Sequence, residues 1–183
     1  MNILKLSLSL LIITASLNAN SYKDFSKYLE NKDYRNACIK GKVIFENNEK
    51  DEELISLIGF ACMKADYINT LGLLQSKQRT STKGRQNAVV FSSLVLQKRL
   101  IYQFMYDNTN ISTLALPISE HPISITFVAI RDNNFKIISD YPKTLEFTKD
   151  NKLYKVYINP KDRGRITIEV KDSNNNIKKH RYL

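Results

Sequence analysis

The sequence is short of the residues that most often form a chemical site. Of its 183 residues, two are cysteine, two are histidine, five are glycine and none is tryptophan. The cysteines and histidines do not have the spacing of a metal-ligand set. Five glycines are too few for a glycine-rich phosphate loop, and the short motifs of serine hydrolases and zinc proteases are absent. We therefore predict no catalytic residue, no cofactor and no metal site.

Long apolar runs are also scarce, and the chain has one, at its N-terminus. Lys5 precedes an uncharged stretch from Leu6 to Leu17, and the small residue Ala19 follows where a signal peptidase would cleave. About a dozen apolar residues are too few to span a bilayer, which takes about 20. The pattern predicts an export signal over residues 1–19 and no transmembrane helix. The alternative is an uncleaved N-terminal anchor.

Acidic residues are outnumbered by basic ones, 18 to 28, and the formal net charge is +10. The acids are interleaved with the bases along the whole chain, whereas a nucleic-acid reader usually concentrates its Lys and Arg on one helix or loop. We therefore predict no nucleic-acid partner and a basic, solvated surface. Weak contact with anionic envelope polymers or lipid head groups is the alternative.

The apolar residues change their periodicity near the middle of the chain. Their spacing is helical up to Tyr106 and alternates, as in strands, after Asn110. The residues between these two positions are polar and favour a turn. This change predicts an α+β protein with a helical domain over residues 20–108 and a strand domain over residues 109–183. A helix that docks on the strands, giving a single α+β domain, is the alternative.

The helical domain is predicted to contain four or five helices, each with apolar residues on one face. They cover residues 22–29, 34–47, 51–62, 66–77 and 86–106. An Asp-Tyr pair opens two of them, at Asp33 with Tyr34 and at Asp66 with Tyr67, 33 residues apart. This repeat resembles the tetratricopeptide and Sel1-like helical hairpins, whose period is about 34 residues, over residues 25–78. The resemblance implies paired helices that bind partners along a groove.

The C-terminal domain is predicted to contain six strands joined by polar turns. They cover residues 123–130, 135–139, 144–148, 153–158, 165–171 and 177–183. In the fifth strand, Ile166 and Ile168 are predicted to face inward and Thr167 outward. The pattern resembles small immunoglobulin-like or fibronectin type III-like modules of bacterial envelope proteins, over residues 111–183. That resemblance implies an antiparallel β-sandwich of two sheets.

The two cysteines, Cys38 and Cys62, are the candidate residues for a specific bond. In an exported protein an isolated pair of cysteines usually oxidises. The helical-hairpin resemblance implies that their helices pack side by side, which would bring the two Cβ atoms within disulfide distance. We predict a structural disulfide between them. Two buried free thiols are the alternative, and a redox site is disfavoured because there is no C-x-x-C motif.

The two histidines, His121 and His180, are predicted to lie on the surface or in loops, since neither has a motif around it. Together these features predict an exported, non-enzymatic protein of the periplasm, an adaptor or accessory subunit that binds other envelope proteins. One alternative is a binder of anionic envelope polymer or lipid. Another is a hydrolase with its site between the two halves.

Overall fold

The computed structural model describes residues 20–47 and 50–182, so the export signal predicted over residues 1–19 lies outside the described residues. The described residues form six α-helices, one short 3-10 helix and a five-stranded antiparallel sheet. The predicted α+β class is therefore confirmed. The chain divides after Arg85 into two compact units, called unit 1 and unit 2 below.

The described residues of unit 1 form helices joined by short connections. Helix α1 covers residues 20–30. It is followed by α2 (Tyr34–Glu46), α3 (Glu52–Lys64), α4 (Ile68–Leu74) and a 3-10 turn at Gln75–Lys77. Helix α5 (Thr82–Asp107) begins in unit 1 and continues through unit 2. The five predicted helices are all present, and α5 starts four residues before its predicted first residue, 86.

Local caps explain where these helices begin and end. Asp33 accepts a hydrogen bond from the Asn36 backbone N–H at 3.3 Å, and Asp51 accepts one from Glu53 at 2.8 Å, so each fills the N-cap position of its helix. The second residue after the end of α1 and of α3 has a positive φ, 57° at Lys32 and 66° at Asp66. The same left-handed stop therefore recurs after 34 residues.

The packing of α2 on α3 depends on a glycine. Gly41 of α2 is buried, and a Cβ atom at this position would lie 2.8 Å from Ile58 Cγ2 of α3. Real Cβ atoms do not approach other carbon atoms so closely, so only glycine allows this separation of the two helices.

The first turn of α3 is bound to the loop that precedes α5. The Glu52 carboxylate accepts backbone hydrogen bonds from Arg79 (2.6 Å), Thr80 (2.6 Å) and Ser81 (2.8 Å), and another from the Ser81 hydroxyl (2.5 Å). These donors, the Ser81 hydroxyl first, hold the pKa of Glu52 far below its usual range. Ser81 Oγ also accepts from the Gly84 N–H at 2.9 Å, and thereby caps α5.

Unit 2 contains most of α5, one further helix and the sheet. The elements after α5 are α6 (Pro122–Arg131), β1 (Lys136–Asp140), β2 (Lys143–Lys149), β3 (Lys152–Asn159), β4 (Arg165–Lys171) and β5 (Ile177–Tyr182). Five of the six predicted strands are present within two residues of their predicted bounds.

The strand predicted over residues 123–130 is wrong, because this segment is helix α6. Pro122 occupies the first turn, where its missing N–H costs nothing, and His121 Nδ1 accepts the Ile123 N–H at 3.3 Å as the N-cap. At the other end, Asn133 has a φ of 53°, in the left-handed region. The Asn134 N–H donates to Ala129 O at 2.8 Å, and these two features end the helix. Caps at both ends outweigh the strand preference of the β-branched residues between them.

The five strands form one meander in the order β1-β2-β3-β4-β5, with every neighbouring pair antiparallel. A sandwich needs two sheets, so the predicted β-sandwich over residues 109–183 is wrong for the described residues. The inner face of the single sheet is apolar and buried. It carries Leu145, Phe147, Tyr154, Val156, Ile158, Ile166, Ile168 and Tyr182.

The outer face of the sheet is polar and carries a row of alternating charges. The strand register places Lys136, Glu146, Lys155, Glu169 and Lys179 opposite one another, one from each strand. The Lys179 ammonium lies 2.7 Å from a Glu169 oxygen. Opposite charges on directly paired residues stabilise an antiparallel sheet.

Thr167 corrects a detail of the predicted outer face. It points outward as predicted, between Tyr157 and Arg181 of the neighbouring strands, yet it is only 1% exposed. The large side chains beside it cover it, so an outward-pointing position is not a solvent-exposed one here.

The C-terminal half of α5 belongs with the sheet. The Tyr102 hydroxyl lies 2.9 Å from Tyr182 O and accepts a hydrogen bond from the Ile166 N–H at 3.3 Å. Lys143 Nζ of β2 donates to Phe104 O at 3.2 Å. The boundary predicted at residues 108 and 109 marks the end of α5, whereas the two compact units divide after Arg85.

Candidate binding groove

Unit 2 contains a groove of about 600 Å³ between α6 and the β2–β3 hairpin. We call it the α6 groove. Its apolar lining consists of Ile118, Ile125, Val128, Ala129, Phe147 and Tyr154. A partly apolar cavity of this size with a few polar groups at its edge is the usual form of a binding site in a protein.

The floor of the α6 groove is a pair of stacked aromatic rings. Phe147 of β2 and Tyr154 of β3 are register partners, and their ring centroids lie 4.9 Å apart at an interplanar angle of 7°. Burial raises the pKa of Tyr154, and the nearby Asp150 adds to this effect. The phenol therefore stays protonated, so it offers a neutral hydroxyl beside an apolar surface.

The entrance to the groove from the helix side is shaped by the segment before α6. The Ser119 N–H donates to the buried Ser124 Oγ at 2.8 Å, which ties this segment back onto the helix. Ile118, one residue earlier, is 65% exposed while it also lines the groove. A large apolar side chain held in solvent at the mouth of an apolar groove favours contact with another molecule.

The rim of the groove carries charges of both signs, and two ion pairs lie along it. On the hairpin, Lys149 Nζ lies 3.6 Å from an Asp150 oxygen, and at the end of α6 Arg131 Nε lies 2.7 Å from Asp132 Oδ1. The hydrogen bond from Arg131 lowers the pKa of Asp132. A general acid needs a pKa that is raised toward neutrality, so the pKa of Asp132 is shifted in the wrong direction for that role.

The predicted disulfide pair lies in unit 1. The Cys38 and Cys62 sulfurs are 2.06 Å apart, which is disulfide distance, and the bond joins α2 to α3 as the sequence predicted. Both residues are at most 1% exposed. The bond is therefore placed to stabilise the helical unit.

The histidines occupy two different environments. His121 caps α6, but His180 of β5 is only 6% exposed, so the prediction of a surface histidine is wrong for it. His180 and Tyr182 both lie on the inner face of the sheet, and their ring centroids are 6.4 Å apart. The ring of His121 lies 6.1 Å from the same tyrosine. Within residues 20–47 and 50–182, no three acidic, histidine or cysteine side chains cluster closely enough to hold a metal ion.

The groove residues were missed in the sequence because α6 was interpreted as a strand. A strand over residues 123–130 would send Ile125 and Val128 to opposite faces, whereas a helix places them on one side, three residues apart. The signals that identify the helix were present in the sequence. They are His121 and Pro122 at its start and Asn133 after its end.

No protein-family model matches the chain, and the comparisons with curated proteins and with solved structures find no significant match. Among the helices of the described residues, none is both long and apolar enough to cross a membrane.

Proposed function

We propose that this chain is an exported, non-enzymatic protein of the periplasm that binds other envelope proteins as an adaptor or accessory subunit. The observation that carries the proposal is the α6 groove. It has an apolar aromatic floor and a rim of charges of both signs, which is the pattern of a protein-binding surface with a polar edge. The occupant we propose is a segment of a partner protein that inserts a large apolar side chain between charged neighbours.

Export is supported by the disulfide and by the N-terminal sequence. A stable structural disulfide is typical of oxidising compartments such as the periplasm. The signal over residues 1–19 remains a sequence prediction. Detection of a mature protein that begins at Asn20 in the periplasmic fraction would establish both the cleavage and the location.

We also propose that residues 25–78 are a pair of tetratricopeptide-like helical hairpins. The recurrence of the left-handed stop after 34 residues, at Lys32 and Asp66, supports this proposal because it equals the period of that repeat. The packing of α2 on α3 through Gly41 supports it as well. Repeats of this kind commonly serve as protein-binding modules.

The proposal of a binding protein is favoured over that of a hydrolase by two of the three carboxylates that line the groove. Asp132 and Asp150 each lie in an ion pair with an adjacent cation, and the pKa of Asp132 is lowered. Carboxylates at the edge of an apolar groove suit the recognition of a partner's charges. A carboxylate with a lowered pKa does not suit proton donation to a leaving group.

A selection from a random peptide library on the immobilised mature protein tests the groove. We expect the selected peptides to share an aromatic or aliphatic anchor. Their affinity should fall by at least about tenfold for Val128→Lys, which places a charge in the groove. Leu96→Lys is the matched control, since Leu96 is an exposed apolar residue of α5 (46%) that does not line the groove.

Both variants are first checked by thermal melting, so that a loss of binding is not a loss of folding. Peptides without an apolar anchor would contradict the proposal. So would equal binding to Val128→Lys and to the wild type, because the groove would then not be the docking site.

A further inference from the structure

The outer face of the sheet carries four cations close together near its β5 edge. The strand register and side-chain alternation place Lys155 of β3, Lys171 of β4, and Lys179 and Arg181 of β5 on this face. We call these four residues the cationic stripe. It lies on the opposite face of the sheet from Phe147 and Tyr154, so the α6 groove and the stripe can be occupied independently.

Part of the positive charge of the stripe is not neutralised. Lys179 is paired with Glu169, which also accepts a hydrogen bond from the Tyr157 hydroxyl at 2.9 Å. Within the described part of the chain, no carboxylate lies within ion-pair distance of Lys155, Lys171 or Arg181. Lys155 lies opposite Glu146 and Glu169 in the strand register, whereas Lys171 and Arg181 have no carboxylate as a register partner. These two cations therefore remain available to an external anion.

The cations form a line. Lys171, Lys179 and Arg181 occupy three successive rows of the β4–β5 ladder, and rows on one face are about 7 Å apart along the strands. Lys171 is on β4 and the other two residues are on the adjacent strand β5, so Lys171 is displaced from them by about 5 Å across the strands. The charges therefore follow one direction over a length of about 14 Å.

We propose that the cationic stripe binds a linear acidic polysaccharide, a chain with carboxylates along its length. This goes beyond the proposed function, since it concerns a second surface and a partner of different chemistry. Lys and Arg pair directly with carboxylates, and several weak contacts along one chain add up. A flat lipid surface would also meet the Glu146 and Glu169 carboxylates in the same row, whereas a single chain can pass along the cations.

A single-stranded nucleic acid fits the stripe less well than a polysaccharide. Such ligands bind through aromatic side chains on which the bases stack. The aromatic side chain that the register places among the stripe is Tyr157, which is half-buried and donates its hydroxyl to Glu169. The stripe therefore offers charge without a stacking surface.

The test is a titration of the mature, full-length protein with oligogalacturonate, a linear polymer of carboxylated sugars, at low salt. We expect binding that weakens as salt is added. For the double variant Lys171→Gln with Arg181→Gln, we expect a loss of about 25-fold, roughly fivefold for each cation removed beside an anionic ligand. The matched control, Lys77→Gln with Lys83→Gln, removes two exposed cations from unit 1 and should bind within twofold of the wild type.

Three further ligands separate the sources of anionic charge: monomeric galacturonate, vesicles with anionic lipid, and oligothymidylate. Binding of any of these as tightly as oligogalacturonate would overturn the proposal. An equal loss of binding in the unit 1 control would do the same, since net charge alone would then account for the affinity. The single variant Arg181→Gln, at an exposed arginine, repeats the test with an expected loss of about fivefold if the double variant does not fold. Peptide binding in the α6 groove should be unchanged in all stripe variants, so that failure of this proposal is distinguishable from failure of the proposed function.

Discussion

In unit 1 the helices are cross-linked by the Cys38–Cys62 disulfide, whereas unit 2 contains no cysteine and is organised around a five-stranded sheet with an apolar inner face. A small helical unit has a limited core, and a covalent bond compensates by restricting its unfolded state. A sheet with helices of its own has enough apolar surface without one. The two units should therefore respond to different perturbations.

The two units also differ in how much polar surface they bury. Unit 2 buries Gln97, Lys98, Ser124, Thr126 and His180, and burial lowers the pKa of Lys98 to about 8. The buried polar side chains of unit 1 are fewer, Thr70 and Gln78 among the described residues. The groove and the stripe lie in unit 2 as well, so the unit with the more polar interior also holds both candidate binding surfaces.

The largest effect is expected from separating the sheet from α5. Fragment 109–183 should lack a cooperative thermal transition, whereas fragment 86–183 should show one. The longer fragment retains Tyr102, which hydrogen-bonds the backbone of Ile166 and Tyr182, and the buried Ile101 of the same helix. Calorimetry of the two fragments measures this difference, and a cooperative transition in fragment 109–183 would show that the strands fold without the helix.

Removal of the disulfide comes next in size and should act on unit 1. Cys38→Ser with Cys62→Ser should lower the free energy of unfolding by about 3 kcal/mol, the value expected for a closed loop of this length. Reductant should shift the wild-type melt in the same direction and leave the double variant unchanged. A wild-type melt that does not change in reductant would contradict this prediction, and fragment 86–183, which has no cysteine, is the control for other effects of the reductant.

A somewhat smaller effect is expected at the α2–α3 contact. Gly41→Ala should destabilise unit 1 by about 1–3 kcal/mol, since the new methyl group would overlap Ile58. Combining it with Ile58→Ala should give less than the sum of the two single effects, because the second change removes the overlapping atoms. Additive effects in chemical denaturation would show that the helices separate freely at this point.

The smallest effect is expected at Glu52, and it should depend on pH. Glu52→Gln should lower the melting temperature at pH 7, because the loop amides lose a charged acceptor. The folded-state pKa of Glu52 is depressed, so its contribution is complete above the unfolded value, near 4.5, and decreases as the pH falls below that value. The difference between wild type and variant should therefore shrink from about pH 5 downward.

The control for this prediction is the neighbouring Glu53→Gln. Glu53 lies in the same first turn of α3 and is exposed. It should change neither the melting temperature nor its dependence on pH. A constant difference between Glu52→Gln and the wild type across pH 3–7 would show that the charge of Glu52 does not matter.

Most of the strands were predictable from the sequence because their side chains alternate between the buried inner face and the outer face of one sheet. In β4, Ile166 and Ile168 alternate with polar residues, and the predicted bounds of residues 165–171 are those observed. Period-two patterns are reliable where one face of a sheet is buried and the other faces solvent. This condition holds for the four strands β2–β5.

Helix α6 was not predictable from periodicity alone. Within α6, residues 123–130 begin with alternating apolar and hydroxylic side chains, which is a strand pattern. Ile123, Phe127 and Ile130 also have the i, i+4, i+7 spacing of a buried helix face. A short apolar run is compatible with a strand or a helix, so the capping residues at its two ends must distinguish them. Because the groove is built on α6, this one ambiguity also hid the candidate site.

The alternating row of Lys136, Glu146, Lys155, Glu169 and Lys179 also bears on how the chain selects one strand alignment. A slip of β3 against β4 by one residue is prevented by the apolar pattern, because it would turn every buried side chain to solvent. A slip by two residues leaves every side chain on its original face, so the apolar pattern does not prevent it. It would set Lys155 opposite Lys171 or leave Glu169 opposite Leu153, so the charged row disfavours the alternative sheets that hydrophobicity cannot distinguish.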